Sequence, residues 1–98
     1  MVIIRRGYET GYVTLTVSVT PSSAFFLVSP RPGTYTYRVG TTVTLVAKSV
    51  PGYTFMGWYL DGARVTTSSR LTVRMDRSHS ARAVYSVRRT FVYWRYMA

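Results

Sequence analysis

The 98-residue chain predicts an all-β fold, a small and mostly antiparallel single domain of about seven or eight short strands with no substantial helix. Segments rich in Val, Thr, Tyr and Phe alternate apolar and polar residues with a period of two, the pattern of half-buried strands. Clusters of Pro, Gly, Ser and Asp separate these segments at short intervals, and nowhere is helical spacing sustained. A chain this long supports one modest core and is too short for two.

The first strand is "YVTLTVSVT", Tyr12 to Thr20, in which Val13, Leu15, Val17 and Val19 alternate with Thr14, Thr16, Ser18 and Thr20. A second, more apolar strand is expected at "AFFLVS", Ala24 to Ser29, closed by a turn at Pro30, Pro32 and Gly33. "TYTYRV" and "TTVTLVAK" follow in the same rhythm, the latter with Val43, Leu45 and Ala47 on one side. Next comes "YTFMGWYL", joined to "ARVTT" through Asp61-Gly62, a strong hairpin dipeptide because both residues tolerate positive φ. In "SRLTVRM" the side chains of Leu71, Val73 and Met75 oppose those of Arg70, Thr72 and Arg74. A last run reaches from about Ala81 to Tyr96. A β-grasp-like arrangement and a small sandwich both fit this count of strands.

"PGYTFMGWYLDG", Pro51 to Gly62, carries four aromatics, three glycines and one charge, where an enzyme would place titratable groups. Tyr53, Phe55 and Trp58 read as a core aromatic box, supplying buried area that aliphatic residues alone would not. Gly52 and Gly57 permit backbone conformations or close approaches that a side chain forbids. The competing reading has Tyr53 or Trp58 exposed, stacking on a sugar or a base.

Thirteen Lys+Arg against three Asp+Glu leave a net charge of +10, and every cation except Lys48 is an arginine. That balance favours anionic partners such as nucleic acid or an anionic polysaccharide, or else simply keeps the surface soluble. Candidate anion-binding residues are Arg70, Arg74, Arg77 and Arg82, with Arg88, Arg89 and Arg95 near the C-terminus. The chain contains no Cys, Asn or Gln, which excludes disulfides and thiolate metal sites and matches the depletion of thermolabile residues in proteins of hot environments. No apolar run approaches the ~20 residues of a membrane span, and "MVIIRR" is too short for a secretory signal.

Chemistry is sparse. His79 is the one histidine, with Asp76, Ser78 and Ser80 close in sequence, and such neighbours do not converge as a triad must. One histidine and three scattered carboxylates do not assemble a typical metal-ligand set. No catalytic residue, metal or cofactor is therefore expected.

The ordered pieces "VTLTVSVTPS", "SPRPGTYTY", "GTTVTL", "PGYTFMGW" and "LTVRMD" leading to "RAVYS" resemble the divergent internalin-B-type repeat family, small β modules of bacterial and archaeal surface proteins. The resemblance covers about residues 12–86, leaving an N-terminal segment 1–11 and a basic, aromatic extension 87–98. It implies a non-enzymatic structural or adhesive module at an extracellular or virion surface. Family members recur in arrays, whereas one copy stands here, so assembly would have to involve other chains. "VRRTFVYWRYMA" could extend the last strand of its own domain. Alternatively, Val87, Phe91, Val92, Tyr93, Trp94 and Tyr96 would form an assembly strand added to a neighbour's sheet edge, building a homo-oligomer, a filament or a virion with other surface proteins. In a third reading, from a different class, the Arg-rich face and the aromatic tail grip nucleic acid.

Overall fold

The computed structural model describes residues 11–88. Among these residues eight strands occur in chain order: β1 Tyr12–Thr20, β2 Val28–Ser29, β3 Gly33–Arg38, β4 Thr42–Ala47, β5 Tyr53–Leu60, β6 Ala63–Thr66, β7 Arg70–Arg74 and β8 His79–Val87. They form a five-stranded sheet in the order β3-β1-β8-β5-β6 and a three-stranded sheet in the order β2-β4-β7. Every pairing is antiparallel except that of β1 with β8, which is parallel.

Alternation decides which side chains go inside. Leu15 and Val17 of β1, Trp58 of β5 and Ala81, Ala83 and Tyr85 of β8 are buried from the first sheet. Val28, Val43, Leu45, Ala47 and Val73 are buried from the second, and all of them join one apolar cluster. A single core shared by two sheets makes the domain a small β-sandwich rather than a β-grasp. Met75, just past β7, is fully buried, and backbone bonds from its amide to the Thr41 carbonyl and from the Gly40 amide to its own carbonyl hold it there.

The central strand β8 places alanines where it meets large neighbours. Ala83 stands between Val19 and Trp58, and Ala81 between Val17 and Leu60. Small residues here leave room for the Trp58 indole, whose burial is complete. Its Nε1 donates to the Ser69 carbonyl at 3.1 Å, tying β5 to the approach of β7 in the other sheet.

Two segments depart from the alternation. In β5 a bulge between Phe55 and Gly57 lets Phe55 and Trp58, three residues apart, both face the core. Ser22–Leu27 is a 3-10 helix and only Val28–Ser29 is strand, so the strand expected over Ala24 to Ser29 is corrected to a two-residue piece. The physical reason is the three-residue period: Ala24 and Leu27 both turn into the core, whereas an extended chain would put them on opposite faces. Phe25 and Phe26 are left about half exposed.

Candidate functional site

The box "PGYTFMGW" begins at the end of the sandwich where β5 starts. Its rings form a chain of edge and tilted contacts: Trp58 to Phe55 at 5.9 Å, Phe55 to Tyr85 at 5.5 Å, and Tyr85 to Tyr53 at 6.4 Å. The series continues outward through Phe26, 5.8 Å from Tyr53, to Phe25. Trp58 is buried, while Tyr53 and Phe55 are half-buried and pack against the core cluster. The Tyr53 hydroxyl donates to Ser23 Oγ and the Tyr85 hydroxyl to the Lys48 carbonyl at 2.7 Å, which uses the polar end of each ring. Burial of the Tyr85 phenol raises its pKa above the ordinary value.

Arginines divide between the two outer faces. Arg70 and Arg74 lie on the outward side of β7, in register with Val46 and Thr42 of β4. Arg82 points outward from β8 in the other sheet, on the far side of the core. Arg74 pairs with Asp76 at 2.9 Å, and Arg77 approaches Asp61 at 3.6 Å. Arg88 is exposed just after β8, its amide bonded to the Gly52 carbonyl. Arg89, Arg95, Phe91, Val92, Tyr93, Trp94 and Tyr96 lie outside the described residues, whereas Val87 is the last residue of β8, opposite Tyr53.

Asp61 and Gly62 form the two-residue turn between β5 and β6, with φ of 52° and 92°. Both central residues are left-handed, as a type I′ turn requires. The Asp61 carboxylate then anchors the neighbouring loop: Oδ2 lies 2.6 Å from His79 Nδ1, and Oδ1 accepts from the Ser80 amide at 2.9 Å. The His79 hydrogen bond first, and the Ser80 amide second, hold this carboxyl below its ordinary pKa. Ser78 faces elsewhere, its Oγ accepting from the Thr14 amide at 3.0 Å. The Asp61–His79 pair thus fastens a hairpin turn to the start of β8.

The outward face of the five-stranded sheet carries a polar pattern that the strand-by-strand sequence does not display. Register places Ser18 of β1, Arg82 of β8, Tyr59 of β5 and Arg64 of β6 in one row across four strands. Beside it run Thr34, Thr16 and Ser80 from β3, β1 and β8. Arg82 lies over the Tyr59 ring at 5.5 Å, and Arg38 over the Tyr12 ring at 5.8 Å. A shallow depression in this face is lined by Ser18, Tyr59, Gly62, Ser80 and Arg82. Alternation in the sequence made Ser18 legible as outward-facing, but Tyr59 turns outward because the bulge between Phe55 and Gly57 shifts the phase of β5, and the row depends on pairing partners far apart in sequence.

Among the described residues no helix is long and apolar enough to cross a membrane. Compared with known families, residues 13–89 match the model of the divergent InlB B-repeat domain. No curated protein and no solved structure matches the chain significantly.

Proposed function

The chain belongs to the divergent InlB B-repeat domain family, whose members are surface-associated β modules, and from that premise we propose that it acts by contact as a structural module joined in line to its neighbours. The observation that carries this reading is the parallel pairing of β1 with β8. Leu15 lies beside His79, so β1 begins below the start of β8, and β8 runs on to Val87 past the level of Thr20. The backbone therefore enters the sandwich at one pole and leaves it at the other, separated by roughly 35 Å of strand. A module threaded in this way transmits tension along its strands and keeps adjoining units apart.

The same geometry supports a reading of self-assembly. Among the described residues β3 and β6 bound one sheet and β2 and β7 the other, each with a strand neighbour on one side. A strand from another copy could pair with the free side of β3 or β7 through main-chain hydrogen bonds, with no ligand required. Phe91, Val92, Tyr93, Trp94 and Tyr96 have the β-prone composition of such a donor, and the pole at which Arg88 leaves is where it would be presented.

Light scattering on the full chain and on one ending at Arg88, each at low and at high salt, tests this. Oligomers of the full chain that persist in salt and vanish on truncation are the expected result, because burial and backbone pairing respond weakly to screening. Monomers in every condition would remove self-assembly from the proposal.

A further inference from the structure

The outward face of the five-stranded sheet holds the groups of an anion site on a hydroxyl-bearing floor. Arg82 and Arg64 flank Tyr59 in a single cross-strand row, with Ser18 completing the row on β1. Ser80 and Gly62 close the rim of the depression. Among the described residues neither Arg64 nor Arg82 meets a carboxylate; the ion pairs there belong to Arg74, Arg77 and His79. Asp61, the carboxylate near the rim, has one oxygen on the Ser80 amide and the other on His79. Its charge is committed on the turn side.

Two features show how this row is positioned. Arg82 is laid over the Tyr59 ring, which fixes the guanidinium plane and reduces the freedom lost on binding. Gly57, at φ 154°, leaves the space that Arg64 crosses: a Cβ there would stand 3.0 Å from Arg64 Cδ and 3.1 Å from the Thr66 carbonyl oxygen. A side chain at position 57 would displace Arg64 from the face.

We infer that this face binds an acidic polysaccharide, with the Arg82 and Arg64 guanidinium groups, two strands apart, taking two carboxylates of one sugar chain and the Ser18 and Ser80 hydroxyls beside Arg82 bonding ring hydroxyls. Guanidinium groups match carboxylates as planar bidentate donors. Hydroxyl side chains both donate and accept, as sugar hydroxyls do. Nucleic acid fits the face less well, because non-specific single-strand binding relies on open aromatic faces for stacking and the Tyr59 and Tyr12 rings each carry an arginine of their own. The site goes beyond the in-line structural reading and does not depend on it.

Calorimetric titration of the full-length protein with hexagalacturonate, with neutral maltohexaose and with a thymidine hexanucleotide tests the inference. Hexagalacturonate should bind and maltohexaose should not. Arg82→Ala and Arg64→Ala should each weaken binding tenfold or more and Ser18→Ala severalfold, with melting temperatures close to the parent's. Arg82→Lys, which keeps the charge and loses the fork, should recover only part of the affinity. Arg70→Ala, on the opposite sheet, should change nothing. Equal loss from Arg70→Ala would reduce the effect to net charge and overturn the site, as would absence of hexagalacturonate binding at millimolar concentration. Tighter binding of the hexanucleotide would replace a polysaccharide with nucleic acid. None of these results alters the size measured by light scattering, so failure of this site and failure of the assembly reading are separable.

Discussion

Trp58 joins the two sheets through one side chain. It is fully buried, and its Nε1 bond to the Ser69 carbonyl crosses from β5 to the approach of β7. Trp58→Phe removes the donor and leaves a partial cavity, and should cost about 2–3 kcal/mol in denaturant unfolding. Asp61 is a different kind of residue: it is partly exposed, and its carboxylate works through charge-assisted bonds to His79 and the Ser80 amide. Its folded-state pKa lies below the ordinary aspartate value. The stability it contributes is fully present above that value and is lost as pH falls through the lowered one. Asn also accepts the left-handed turn conformation, so Asp61→Asn changes the charge and not the backbone. Melting curves should show the variant less stable by about 1 kcal/mol at pH 7, with the gap closing as pH falls below the ordinary aspartate range. A constant gap across that range would mean that the turn, not the carboxylate, carries the effect.

Elements whose pattern is local behave as their sequences suggest, and one that depends on its surroundings does not. Asp61-Gly62 dictates a tight turn wherever it stands between two strands, and β5 and β6 pair across it with a bulge between Trp58 and Tyr59. "SSAFFL" carries β-prone aromatics, yet it coils into a 3-10 helix because the core accepts Ala24 and Leu27 from the same side. A consequence separates the two readings of this segment. In unfolding experiments Leu27→Ala should cost about 2–3 kcal/mol and Phe25→Ala less than about 1 kcal/mol, since Leu27 is buried and Phe25 is half exposed. A strand would invert that order at one of the two phenylalanines.

Across the whole molecule, stability should follow position in the sheets. β8 lies at the centre of the larger sheet with β1 and β5 on either side, while β2 contributes two residues at the rim of the smaller one. Native-state hydrogen exchange should therefore be slowest in β8 and fastest in β2 and β6, because central amides open only with global unfolding. The same arrangement governs where charge goes. Arg70, Arg74, Arg77 and Arg82 stand close together in the chain, but β7 and β8 belong to different sheets, so Arg70 and Arg82 face opposite sides.

Alternation of apolar and polar residues determined, from the sequence alone, the class of fold, β1 and the strands from β3 to β7 within a residue or so, the β5–β6 turn and most inward-facing residues. These features depend on the period of the backbone and on the φ preferences of single residues, which act within a few positions. Tertiary structure alone decided that β1 and β8 lie parallel, that Ser22–Leu27 is helical, and that Ser18, Arg82, Tyr59 and Arg64 share one row. Each of those outcomes is a choice of partner between residues far apart in the chain. Such choices are settled by how Trp58, Leu15, Leu45 and their neighbours fill one common core, a property that no single segment carries.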